Sequence, residues 1–210
     1  MKKFDTTLYF ITDRSGFDDE EFLLRIELAL KGGATILQLR EKEAGTRQYI
    51  RLAQRVHEIA QRYDVPLLID DRLDVAMASG AEGVHLGQSD MPVSMARKIA
   101  GDKMIIGATA KTVEQALEAW HQGADYLGVG AIYPTTTRVH TVLTSTDTLK
   151  AICKSVPLPV NAIGGLNKDN IHVLSHSGIA GICAVSAIMK AADPMRAAQE
   201  LKKAFAGLEL

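Results

Sequence analysis

The sequence predicts a single (β/α)8 TIM barrel covering residues 1–210, and three observations predict it. Eight short apolar runs, many rich in β-branched residues, recur along the chain. The segments between them carry helical periodicity. The phrases KGGATILQLR, ASGAEGVHLG, HQGADYLGVG and HSGIAGICAV also repeat, weakly, one pattern of helix end, glycine turn and strand.

In chain order, the first strand is LYFIT (8–12), and DDEEFLLRIELALKGG follows it as a helix with an acidic first turn and a glycine stop. TILQL (35–39) and PLLI (66–69) are the second and third strands; GVHL (83–86), the fourth, leads by a short loop into the helix of MPVSMARKIA. MIIGA (104–108) is the fifth, and Thr112 is placed to cap the helix in TVEQALEAWHQGAD. YLGVG (126–130), PVNAI (159–163) and GICAV (181–185) complete the set. The runs recur every roughly 20 to 33 residues, with no Pro/Ser-rich linker and no low-complexity stretch, which favours one closed barrel over two domains. An open doubly wound sheet is the competing arrangement, but no GxGxxG follows the first strand, where a dinucleotide fold would want it.

Composition narrows the function. With 210 residues, 47% of them hydrophobic, 23% charged and a net charge of −1, the chain can bury a large core. Its 24 basic residues are dispersed, so nucleic acid is not an expected partner. The opening MKKFDTTLYFITDRSG has no apolar run suited to a secretory signal or a membrane span, and a cytoplasmic protein without a membrane partner is expected. Cys153 and Cys183 show no CxxC spacing, which reads as buried free thiols rather than a zinc or redox pair.

In a barrel of this kind the reactive groups gather where strands run into helices. Asp70 and Asp71 end the third strand, and Asp90 lies in the loop after the neighbouring fourth, so the acids can converge. Carboxylates facing one space repel each other unless a proton or a cation intervenes. Mg2+, which favours one or two carboxylates and keeps water or phosphate oxygens elsewhere, is the economical answer. The competing role is capping of the helices that follow. In TILQLREKE, Gln38, Arg40 and Lys42 alternate with apolar Leu37 and Leu39, so a polar row runs from the second strand into its loop, beside the acids. Arg and Lys opposite a carboxylate-bound metal suit a pyrophosphate. The connection YPTTTRVHTVLTST after the sixth strand offers hydroxyls and Arg138, and reads either as a lid or as a plain loop. IGGLN after the seventh strand and AVSAI after the eighth stand where such barrels often bind phosphate, with Gly164 and Gly165 permitting close approach and Ser186 adding a hydroxyl. His85, inside the fourth strand, reads as a hydrogen-bonded barrel residue, and no nucleophile elbow is present.

The motifs QLREK, DDRLDVA, GVHLGQSD, GADYLGVGAIYPTTT, AIGGLN and VSAI, in that order, resemble the thiamine-phosphate synthase family. The resemblance implies a barrel enzyme, a transferase, that joins 4-amino-5-hydroxymethyl-2-methylpyrimidine diphosphate to a thiazole phosphate, with Mg2+ as cofactor and small molecules as partners. Pyrophosphate leaves first, and the thiazole nitrogen attacks the resulting pyrimidine cation. Carried onto this chain, Gln38, Arg40 and Lys42 bind the pyrimidine diphosphate, with Leu39 and Glu41 of the same motif counted among the substrate-binding positions, and Asp71 and Asp90 hold magnesium. Thr135, Thr136, Thr137, Gly165, Val185 and Ser186 receive the thiazole phosphate, and Arg40, Lys42, Thr109 and Arg138 carry the catalytic roles. The family usually has Asn, Ser and Lys where this chain has Asp70, Thr109 and Arg138, all three at positions that touch the pyrimidine substrate. A thiazole tautomerase is one alternative, but relatives of that kind resemble an enzyme with a catalytic His where this chain has Ala131. A non-catalytic barrel that binds a phosphate ligand is the other. A homo-oligomer is among the assemblies such a barrel admits.

Overall fold

A computed structural model describes residues 4–135 and 142–210. Eight parallel strands, β1 (Leu8–Ile11), β2 (Ile36–Leu39), β3 (Leu67–Asp70), β4 (Gly83–Leu86), β5 (Ile105–Ala110), β6 (Tyr126–Gly130), β7 (Val160–Ile163) and β8 (Gly181–Ala184), pair in chain order. β8 returns to β1 with Phe10 beside Ala184, which closes the barrel. Each strand lies on an apolar run read from the sequence.

Strand periodicity sorts the residues into two layers. Tyr9, Ile11, Ile36, Leu68, Ile105, Tyr126 and Cys183 pack together inside the barrel. Their neighbours in sequence, among them Leu8, Phe10, Leu37, Leu67 and Ile106, turn outward into a larger core shared with the helices. Those helices are α1 (Asp19–Lys31), α2 (Thr46–Arg62), α3 (Leu73–Ser79), α4 (Val93–Ala100), α5 (Val113–His121), α6 (Thr146–Ser155), α7 (Ser186–Met189) and α8 (Pro194–Ala206). α1 starts where Asp18 accepts the Glu21 N–H at 2.9 Å and ends at Gly32. It buries Phe22 and Ile26 against the strands, and truncating Phe22 to alanine would cost about 3–5 kcal/mol. Thr112 caps α5 by accepting from Gln115 N–H at 3.2 Å, as its position before the helix predicts.

The alternation departs from regularity at two points. After β7 the chain forms only a 3-10 turn, Ile171–Leu174, where a regular barrel has its seventh helix. Asn167 Oδ1 accepts from the N–H groups of Asp169 and Asn170, at 2.9 and 3.2 Å, and these local bonds compete with an α-helical ladder. After β8 a single turn, α7, precedes the main helix α8. Among the described residues no helix is long and apolar enough to cross a membrane. Both cysteines are free; Cys183 is buried, whereas Cys153 is only half-buried.

Candidate functional site

The carboxyl ends of the strands open on a cavity of about 1000 Å³, a volume that includes its open mouth. Gln38, Arg40, Lys42, Asp70, Asp71 and Thr109 line it from β2, β3 and β5 and the loops that follow them. Thr135, Gly164, Gly165, Val185 and Ser186 face them from the loops after β6, β7 and β8. Residues from 38 to 186 are thus brought to one rim. Thr136, Thr137 and Arg138 lie outside the described residues.

On one side the rim is a network of opposite charges. Lys42 Nζ lies 2.7 Å from Asp70 Oδ2 and also pairs with Asp71, while Arg40 Nε is 3.7 Å from Asp70 Oδ2. Burial works against the charge on Lys42, but the two acids outweigh it and raise its pKa. Burial and the Asp71 charge raise Asp70, against the opposing pull of Lys42 and Arg40. The carboxyl groups of Asp71 and Asp90 are in hydrogen-bonding contact. Burial opposes ionisation of both; the bonds from Lys42 and Asp90 nevertheless hold Asp71 low, whereas its contact with Asp71 adds to burial in pushing Asp90 up. Two carboxyls in contact, with one of them favouring its proton, form an arrangement that a hard cation relieves.

Backbone geometry sets these acids in place. Asp71 sits at φ +61°, a left-handed conformation reached by few residues other than glycine, asparagine and aspartate, and its N–H donates to His85 O at 2.9 Å. The Tyr49 hydroxyl donates to Leu39 O at 2.8 Å and lies 3.5 Å from Asp70 O, tying α2 to the ends of β2 and β3. None of the three acids caps a helix through its side chain: α3 begins after Arg72 and α4 after Pro92, both without a side-chain cap. Asp90 Oδ2 instead accepts from Gly87 N–H at 2.7 Å within its own loop.

On the other side the described rim residues are uncharged. Gly164 and Gly165 have φ of +107° and +63°, and a Cβ on Gly165 would lie 2.7 Å from Tyr133 Cβ and 2.8 Å from Pro134 O. Positive φ and close approach therefore both require glycine here. Ser186 and Ala187 open α7, where the first N–H groups have no intrahelical partner. Arg25 holds the far end of that turn, with Nη1 donating to Ala191 O at 2.8 Å and Met189 O at 3.2 Å.

Three described motif residues lie off this cavity, the first being Asp90, which faces a neighbouring groove with Gly87, Gln88 and Met91. Leu39 is fully buried between strand and helices, because the period of two turns it away from the mouth, so its side chain does not line the site. Glu41 lines an adjoining groove instead, 3.8 Å from Arg14. Conversely, Tyr9 and His85 line the cavity without having been singled out as site residues. Gln38 Nε2 donates to Tyr9 Oη at 2.6 Å, Tyr9 Oη lies 2.7 Å from Tyr126 Oη, Tyr126 Oη is 2.8 Å from His85 Nδ1, and His85 Nε2 is 2.9 Å from Thr109 Oγ1. The sequence signal for this chain was the inward parity of two tyrosines inside apolar strands.

Comparison with known proteins agrees with this geometry. A family model described as thiamine monophosphate synthase matches residues 8–188. The chain is 52% identical over 186 residues to thiamine-phosphate synthase 2 of Streptococcus pneumoniae serotype 4, covering 89% of each. It is 47% identical over 205 residues to a thiamine-phosphate synthase of Methanobrevibacter smithii, covering 98% of each. A solved thiamine phosphate pyrophosphorylase from Pyrococcus furiosus superposes with a TM-score of 0.86 at 42% identity, covering 95% of both chains.

Proposed function

The chain belongs to the thiamine monophosphate synthase family, and on that premise we propose that it is a thiamine-phosphate synthase, a transferase acting on two small phosphorylated molecules. The observation that carries the assignment of roles is the cluster of Arg40, Lys42, Asp70 and Asp71 on one side of a cavity whose other side is built from the glycine-bearing loop after β7 and the turn after β8. Cations beside carboxylates suit a diphosphate; the backbone-rich loops opposite suit a monophosphate. In the proposed reaction the C–O bond between the pyrimidine methylene and the diphosphate breaks, and its electron pair leaves on pyrophosphate. The thiazole nitrogen lone pair then forms the new C–N bond. Such a step needs charge stabilisation on the leaving group more than a general base; that role is assigned to Arg40 and Lys42, which line the cavity, and to Arg138, which lies outside the described residues. Thr109 and Gln38 hold the pyrimidine, while Thr135, Thr136, Thr137, Gly165, Val185 and Ser186 receive the thiazole phosphate.

The donor set fits magnesium. Asp71 and Asp90 would hold it, and among the described residues no cluster of three or more His, Cys, Asp or Glu groups competes for a metal. Two carboxylates alone suit an ion that takes its remaining oxygens from water and phosphate. When bound it neutralises charge on the diphosphate oxygens. The tautomerase alternative needs an imidazole where this chain has the buried methyl of Ala131.

The test is direct. Purified protein given the pyrimidine diphosphate, the thiazole phosphate and magnesium is expected to release thiamine phosphate and pyrophosphate in equal amounts. Tight binding of either substrate with no product, under conditions in which the Methanobrevibacter smithii relative turns over, would replace the enzyme reading with that of a ligand-binding barrel.

A further inference from the structure

We propose that Arg25 is a positioning residue for the thiazole-phosphate end of the cavity: from α1 it grips the carbonyls that close the α7 turn and so fixes where Val185 and Ser186 meet the ligand. The identity of that ligand rests on the synthase reading above; the grip itself rests on the contacts of one guanidinium. Nη1 donates to Ala191 O at 2.8 Å and to Met189 O at 3.2 Å, across 166 and 164 positions of chain. Both partners are carbonyl oxygens, which only accept, and a guanidinium only donates, so the direction of each bond follows from the groups themselves.

The turn needs an outside hold. α7 is four residues long, and a single turn has too few internal bonds to persist on its own. Those bonds run from Met189 N–H to Val185 O at 2.8 Å and from Lys190 N–H to Ser186 O at 3.0 Å. Residues 189–191 therefore link two contacts in one short path. Their N–H groups hold Val185 and Ser186, which line the cavity, while the carbonyls of Met189 and Ala191 are held by Arg25. A shift of the guanidinium thus reaches the ligand-facing residues through hydrogen bonds in series. Lys190 adds a second hold, its Nζ 3.4 Å from Asp13 Oδ2, but that lysine is half-exposed and the weaker of the two.

Arg25 is itself held in place. Its Nε and Nη2 both meet Glu21 Oε1, one turn back along α1, at 2.9 and 2.8 Å, and its guanidinium carbon stands 4.5 Å from the centre of the Phe17 ring. The side chain is 18% exposed. Phe22, Ile26 and Ala29 turn into the core, so Arg25 falls at the edge of the buried face of α1 and reaches sideways to α7. A planar fork stacked on a ring and tied to a carboxylate arrives preorganised, which the single ammonium of a lysine would not reproduce.

Hydrogen exchange followed by mass spectrometry tests the grip without any substrate. In Arg25→Ala the amides of residues 188–191, all bonded within the turn, should exchange at least about 10-fold faster than in wild type, with β1, β8 and α8 unaltered. Kinetics tests the consequence: KM for the thiazole phosphate should rise about 10-fold, while kcat and the KM for the pyrimidine diphosphate stay within about twofold. Guanidinium ion, added at millimolar concentrations far below those that unfold the protein, should lower that KM toward the wild-type value in Arg25→Ala and leave wild type unaffected, a recovery that a general loss of stability would not give. Should Arg25→Ala fail to fold, Glu21→Gln keeps the guanidinium but loosens its orientation, and the same KM should rise about 3-fold. Unchanged exchange in the turn, a parallel rise in both KM values, or no response to guanidinium overturns the proposal. Wild type that makes no thiamine phosphate overturns the synthase reading, and exchange in the α7 turn still decides whether Arg25 holds it.

Discussion

Asp70 places a carboxylate of the protein against the two cations that a diphosphate needs, 2.7 Å from Lys42 and 3.7 Å from Arg40. A negative charge about 5 Å from a phosphate oxygen costs on the order of 3 kcal/mol at an effective dielectric near 20, before cations offset it. Asp70→Asn keeps the shape and removes the charge, so kcat/KM for the pyrimidine diphosphate should rise about 10-fold with the thiazole KM unmoved. Steady-state kinetics across a magnesium titration checks this; activity that falls and is rescued by excess magnesium would make Asp70 a metal ligand instead. Asp13 gives a pH-dependent case away from the cavity. Burial opposes its ionisation, but bonds from Ser15 and the charge of Lys190, 3.4 Å away, outweigh burial and hold its pKa below 3.8. A depressed folded-state pKa stabilises the fold above the unfolded value and ceases to as pH falls through the folded one. Asp13→Asn should accordingly be less stable than wild type by about 1 kcal/mol at pH 7, and the gap should close below pH 3.8. Urea unfolding of both proteins across that range measures it, and a gap that persists in acid would detach the effect from the carboxylate.

At the scale of elements, the loop after β7 is set by backbone conformation more than by side chains. Gly165→Ala puts a methyl at φ +63° and within 2.8 Å of Tyr133 and Pro134, so the loops after β6 and β7 must separate. We expect a stability loss of about 1–3 kcal/mol and a KM for the thiazole phosphate raised about 10-fold, with the pyrimidine KM nearly unchanged. Equal rises in both constants would show that the loop does not belong to one phosphate. This division also explains what the sequence could disclose. Strand runs, the caps Asp18 and Thr112 and the glycine loop are local signals, each readable within a few residues. Asp71 and Asp90 required only the topology that makes β3 and β4 neighbours. The loss of the seventh helix was hidden because it depends on Asn167 satisfying its own turn, which composition does not separate from a helix start. The Tyr9–Tyr126 bond joins residues 117 positions apart, and no local pattern reports which inward side chains meet across a barrel.

Across the whole molecule the barrel separates chemistry from cohesion, one at each end of the strands. The carboxyl ends carry the acids and cations described above. At the amino ends of β5 and β6, Arg97 Nη2 meets Asp125 Oδ2 at 2.6 Å, and the guanidinium also donates to the carbonyls of Gly101, Met104 and Gly123. Asp125 Oδ2 in turn accepts from Ile106 N–H at 2.8 Å, so this one pair joins α4, the start of β5 and the turn before β6. Both side chains are less than one-fifth exposed, and removing one partner strands the other charge among backbone groups. Asp125→Ala should therefore cost about 3 kcal/mol, equivalent to a fall in Tm of about 6–12 °C for a chain of this size. Its kcat/KM for both substrates, measured well below the transition, should stay within about twofold of wild type, because no described residue of the cavity rim hydrogen-bonds to this cluster. Asp71→Asn and Asp90→Asn should show the opposite pattern: turnover falls at least about 10-fold and the magnesium requirement rises, while Tm stays within about 2 °C, since relieving repulsion between two acids offsets what either contributes to its loop. Calorimetry and kinetics on the three variants together decide the point. An Asp125→Ala protein that keeps its Tm but loses activity, or an Asp71→Asn protein whose activity loss merely tracks unfolding, would show that stability and chemistry are not divided between the two ends of this barrel.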